Sequence, residues 1–172
     1  MILLEKVDPK LEVNGQYLLG VIGSLNEDDV RPYREKHNLS VIEPDKWYSA
    51  HQIVAFYNDL LQAPNGMFNL VAIGMNIVKY IEYPPQVRTM SDALAIATQM
   101  HYGGWRNGHP GDLIVEQPDA HHVRFTFVNL PLPSDLVYGI CYGMVKRFAP
   151  SSADIKVERV EDGDRIVYNL QW

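Results

Sequence analysis

The sequence predicts an α+β protein. An N-terminal helical half over about residues 1–110 is followed by a β-β-α-β-β half over about 111–172, an antiparallel sheet with one helix packed across it. Three observations predict this. Apolar residues recur at helical spacing through the first hundred positions, the period drops to two after Gly111, and one helical stripe from Leu136 to Phe148 interrupts the alternating segments. The 172 residues suit a single domain, and 47% hydrophobic with 21% charged residues excludes wholesale disorder.

Taken in order, Tyr17, Leu18, Val21, Ile22 and Leu25 form the first stripe, in which Gly20 and Gly23 mark the close approach of another element. Asn26-Glu27-Asp28-Asp29 suits a helix start, with Pro32 expected in the first turn and the helix ending near His37. Ser49 and Gln52 have capping-box spacing, and Tyr48 can staple onto Ile53. That helix carries Ile53, Val54, Tyr57, Leu60 and Leu61 and stops at Ala63-Pro64-Asn65-Gly66. A helix near Met67–Ile81 is apolar on most sides, as a central one is, and Pro84-Pro85 ends it. Ser91 or Thr89 caps a fifth helix running to about His101 or Tyr102, before Gly103-Gly104.

Leu113-Ile114-Val115 and Val123, Phe125 and Phe127 then read as two strands around Pro118-Asp119-Ala120. Leu136, Val137, Ile140, Cys141, Met144, Val145 and Phe148 make the sixth helix, with Gly139 and Gly143 expected where it crosses the sheet. Ile155 and Val157 pair with Ile166, Tyr168, Leu170 and Trp172 through a turn at Asp162-Gly163.

A net charge of −6 argues against a nucleic-acid binder. The longest uncharged stretch, Leu60 to Val78, holds Pro64, two glycines and four amides, so no membrane span is expected. The early charges of Glu5 and Lys6 do not fit a signal peptide, and the single cysteine, Cys141, allows no internal disulfide. The expected location is cytoplasmic.

Gly139-Ile140-Cys141-Tyr142-Gly143 has the form of a nucleophile elbow, but that chemistry needs a strand, a sharp turn and a base, and helical spacing runs through this segment. A buried structural cysteine is the better reading. His101 follows Ala97 by four residues and Leu94 by seven, so it shares that helix's apolar face, where a ring nitrogen can ligate haem iron. A half-buried histidine at a helix end is the commoner occurrence. Tyr102, Trp105, Arg106, His109 and Arg124 can line a polar patch in which two arginines hold a carboxylate or phosphate, and Gly103, Gly104, Gly108 and Gly111 make the intervening loop a candidate lid.

The stretch Leu136–Phe148, then Ile155-Lys156-Val157, then Ile166–Trp172, resembles the end of haem nitric-oxide/oxygen-binding (H-NOX) domains, and the related vinyl-reductase-like bacterial sensor domains. Val13–Leu19 and Trp47-Tyr48-Ser49 agree more loosely with the start of that group. The resemblance implies a sensory or regulatory domain holding haem or another hydrophobic or tetrapyrrole ligand between the helical half and the sheet. It implies His101 as iron ligand and a signalling protein partner or self-association as output; Phe125 and Phe127 are expected to wall that pocket, with Tyr102, Arg106 and Arg124 of the polar patch as further ligand-binding candidates. Where H-NOX domains hold the haem carboxylates with Tyr-x-Ser-x-Arg, this chain has Thr126, Val128 and Leu130. Two alternatives stand beside this reading: an enzyme acting on a tetrapyrrole or hydrophobic substrate through Cys141 or the His101–His109 loop, and a ligand-free protein-interaction domain.

Overall fold

The computed structural model describes residues 2, 4–22, 27–64, 66–81 and 83–172. In chain order the elements are β1 (Glu12–Asn14), α1 (Gly15–Ile22), α2 (Glu27–Lys36), β2 (Trp47–Ser49), α3 (Ala50–Gln62), α4 (Gly66–Tyr80), α5 (Met90–Gly103), β3 (Trp105–Arg106), β4 (Asp112–Asp119), β5 (His122–Val128), α6 (Ser134–Phe148), β6 (Lys156–Asp162) and β7 (Arg165–Gln171). The α+β order expected from the sequence is present, with a four-stranded antiparallel sheet ordered β4-β5-β7-β6. Among the described residues no helix is long and apolar enough to cross a membrane.

The helical half also holds a second, three-stranded antiparallel sheet, β2-β1-β3, in which Val13 faces Tyr48 on one side and Trp105 on the other. Strands of two or three residues are too short to display a period of two. This sheet changes the character of the glycine-rich segment. Trp105 and Arg106 are hydrogen-bonded to β1, Gly104 packs on the Tyr17 ring and Gly108 abuts Asp8, so the segment is fixed in place rather than free to act as a lid.

Several helix boundaries are set by other groups than expected. Leu25, Gly23 and Asn26 lie outside the described residues. Pro32 sits in the second turn of α2, not the first, while Glu27, Asp28 and Asp29 fill the first turn. Ser49 precedes α3 but makes no side-chain cap. It is the last residue of β2, the Ala50 N–H donates to the Leu11 carbonyl at 2.8 Å, and Gln52 Nε2 donates to the His37 carbonyl at 2.6 Å. At α5 it is Thr89 that caps, in a complete capping box with Asp92.

The last hairpin forms with Asp162 opposite Arg165, so the turn residues are Gly163 and Asp164, one position along from the expected pair. Gly163 has φ +58°, a left-handed conformation that glycine adopts without a Cβ clash. Tyr168 and Leu170 are fully buried beneath α6, and the Tyr168 hydroxyl donates to the Ser134 carbonyl at 2.7 Å, tying β7 to the start of that helix. Burying each such side chain contributes about 1.5–3 kcal/mol.

The glycines of α6 are turned away from the sheet. A Cβ on Gly139 would lie 2.2 Å from the Val71 carbonyl oxygen, and one on Gly74 of α4 would lie 2.1 Å from that of Leu136. Gly143 likewise faces Met75. The close approach is therefore helix against helix, α6 on α4. The sheet instead receives the opposite stripe, Val137, Cys141 and Val145, in one core with Val123, Phe125, Tyr168 and Leu170. A second core joins Ile53, Phe56, Leu60, Leu70, Ile73 and Leu136 within the helical half. Helix α6 belongs to both.

Candidate functional site

Where the two cores meet, the packing leaves a cavity of about 140 Å³. Its wall draws on every major layer: Tyr17 of α1, Tyr57 of α3, Ile77 and Val78 of α4, Ala97, Met100 and His101 of α5, Leu136, Ile140, Cys141 and Met144 of α6, and Leu113, Phe125 and Phe127 of the sheet. The inward position of Phe125 and Phe127 follows from strand alternation, and both are buried. His101 reaches the wall because Leu94 and Ala97, two turns and one turn earlier, are buried on the same face of α5.

His101 is half-buried, with Nε2 3.1 Å from the Gly111 carbonyl oxygen and its ring edge-on to Phe127 at 6.3 Å. Since a carbonyl only accepts, Nε2 carries the proton and Nδ1 keeps the lone pair. Burial lowers the pKa of the imidazole, and the hydrogen bond to Gly111 opposes that only in part, so the ring is neutral at neutral pH.

The other expected site residues lie elsewhere. Tyr102 is 37% exposed and its hydroxyl donates to Asp112 Oδ1 at 3.1 Å. Arg106 is outside the cavity: its Nε donates to Glu12 Oε2 at 2.6 Å and its guanidinium covers the Trp47 ring. Arg124 alternates with Phe125 and so points from the opposite face of the sheet, where Nε donates to Asn169 Oδ1 at 2.9 Å. Of the six, the structure brings His101, Phe125 and Phe127 together, and holds Tyr102, Arg106 and Arg124 in surface contacts. His109 is likewise at the surface, 3.4 Å from Asp112.

Cys141 lies in the middle of an unbroken helix and is 1% exposed. Burial pushes its thiol up, away from the thiolate. No strand-turn-helix elbow exists there, and among the described residues no histidine or carboxylate hydrogen-bonds it, so a cysteine nucleophile fails on geometry.

Three aromatic wall residues were not singled out as site residues from the sequence: Tyr17, Tyr57 and Tyr83. Tyr17 and Tyr57 belong to apolar stripes, the one signal that marked them as inward. Tyr83 stands beside Pro84-Pro85 with no periodic neighbour.

No protein-family model and no curated protein matches the chain. Solved structures do. An oxygen-binding H-NOX domain related to soluble guanylate cyclases, in its oxygen complex, superposes with TM-score 0.69 at 17% identity, covering 91% of both chains. A structure described as probing haem distortion in the H-NOX family gives 0.69 at 18% identity and 92% of both chains. A mutant of the T. tengcongensis H-NOX domain gives 0.65 at 18% identity, covering 91% of this chain and 93% of that one. The fold is H-NOX-like, over nearly the whole chain.

The wall residues do not fit haem itself. Among the described residues no lysine or arginine lines the cavity, so two haem carboxylates would lack a charge partner. Thr126 and Val128 share Arg124's face of β5, and the positions turned to the core are Val123, Phe125 and Phe127. The space is below the ~300 Å³ at which sites for larger ligands begin. His101, with its free Nδ1, is the wall residue with the chemistry of an iron ligand.

Proposed function

We propose that this chain is a regulatory small-molecule-binding domain that seats a compact apolar ligand between its helical half and its sheet. The observation that carries the reading is the 140 Å³ cavity, walled by apolar side chains from both cores. An apolar cavity of about this size, roughly 150 Å³ in a well-studied example, stays dry and binds benzene or xenon. A ligand seated there touches α3, α4, α5, α6 and the sheet at once, so its binding energy biases how the two halves pack. A protein partner or a second copy of the chain would read that change. The H-NOX-like fold and the lack of an assembled nucleophile and base around Cys141 support a sensory role over an enzymatic one.

The test pairs thermal melting with absorbance. Toluene at saturating concentration should raise the melting temperature of the natural sequence, as any ligand of the native state does, and should leave Ala97→Phe, which fills the cavity, unchanged. Haemin should give no Soret band that His101→Ala removes. A melting temperature indifferent to toluene in the natural sequence would refute the reading.

A further inference from the structure

One face of the four-stranded sheet packs on α6, and the other carries an apolar row running straight across the strands. The register sets Ile114 of β4 beside Thr126 of β5, Thr126 beside Val167 of β7, and Val167 beside Val160 of β6. Among the described residues none of the hydrophobic cores includes any of the four. The two at the edges are open, Ile114 52% and Val160 47% exposed, while Thr126 is buried and Val167 half-buried between them. Single apolar side chains are ordinary on a surface, but here two exposed aliphatics end one continuous row.

Each end of the row stands between two carboxylates. With a strand period of two, Asp112 and Glu116 flank Ile114 on its own face, and Glu158 and Asp162 flank Val160. Arg124, 3.5 Å from Glu116, and Arg165, opposite Asp162, lie between these corners, so four carboxylates stand against two arginines. Lys156 lies one position further out on β6. The pattern is not self-complementary. A two-fold axis along the strands would set Asp112 against Asp162 and Glu116 against Glu158, and one along the row would set Asp112 against Glu116 and Glu158 against Asp162. The same corners repel a nucleic-acid backbone or an anionic lipid surface. Four strands ~4.8 Å apart make the row ~14 Å long, the span of a helix of about ten residues, whose face repeats every ~5.4 Å. We propose that this face docks an amphipathic helix of a partner protein, with its apolar stripe on the row from Ile114 to Val160 and lysines or arginines beside the four carboxylates. Strand β5 carries Phe125 and Phe127 of the cavity wall on its other face, so the docked helix lies one strand away from the ligand space. The docking surface stands by itself, and its response to ligand rests on the cavity being a ligand site.

The experiment uses a fluorescein-labelled helical peptide of about 14 residues, with leucines on one face and lysines on both flanks. It is titrated by anisotropy against the natural sequence and against the double variant Ile114→Ser/Val160→Ser, whose exposed positions should leave the fold intact by thermal melting. The double variant should bind it about 10-fold more weakly, and a peptide with glutamates in place of the lysines should bind the natural sequence at least about 10-fold more weakly. Saturating toluene should shift the affinity of the lysine peptide in the natural sequence and not in Ala97→Phe. No binding of the lysine peptide, or equal affinity for the natural sequence and the double variant, would overturn the docking surface. Peptide affinity indifferent to toluene, in a natural sequence whose melting temperature toluene raises, would overturn the coupling and leave the docking surface. A dimer of the natural sequence that the double variant cannot form would overturn the partner helix in favour of a second copy.

Discussion

The two faces of α6 are built from neighbouring residues and obey opposite rules. On one face Gly139 and Gly143 let the helix lie directly against α4, backbone on backbone, with Gly74 returning the contact from the other side. On the other, Val137, Cys141 and Val145 meet the sheet, and Val137 and Cys141 border the cavity. At Gly139 the first face has no room for a methyl group, whereas the second face borders the cavity.

Enlarging each face by a small amount separates the two rules. The largest effect is expected for Gly139→Ala, whose new Cβ would sit against a backbone oxygen that cannot yield without moving α4. Destabilisation of about 3 kcal/mol or more should appear as a lowered midpoint in urea unfolding. Cys141→Val, two residues on, adds bulk beside the cavity and should change stability by less than about 1 kcal/mol in the same assay. Should the two variants prove equally costly, α6 would be packed alike on both sides and the contrast would fail.

A smaller effect is expected at the far wall. Burial lowers the His101 pKa below its ordinary 6.5, so the unfolded chain takes up a proton that the folded chain resists. The stability held by the neutral ring is present above pH 6.5, and it diminishes as pH falls from there toward the lower pKa of the folded state. His101→Asn should flatten that part of the stability-against-pH curve, measured by melting between about pH 7.5 and about pH 5.

Much of this arrangement was legible in the sequence, and the illegible parts share a cause. The helices, the β-β-α-β-β order and the final hairpin each announce themselves through local period and turn residues, and so do His101, Phe125 and Phe127 as inward-facing groups. The partner of a face is not local information. Gly139 and Gly143 show that something approaches closely, but the sequence does not say whether it is the sheet or α4, because Gly74 is 65 residues away from Gly139. The partners of Arg106 and Arg124 are equally distant in the chain: Glu12 is 94 residues from Arg106 and Asn169 is 45 from Arg124. Strands β1, β2 and β3 carry too few residues to show a pattern, and Tyr83 owes its position to Arg147 and Phe148 rather than to any repeat.

The claim on which the rest depends is that the space between α4, α5, α6 and β5 is a true binding cavity. A crystal of the protein under xenon pressure tests it most directly, since xenon enters apolar cavities of this size and needs no specific chemistry. A single strong xenon site bounded by Phe127, Ile140 and His101 is expected, absent from crystals of Ala97→Phe. Walls found in contact, with no xenon between the two cores, would contradict it.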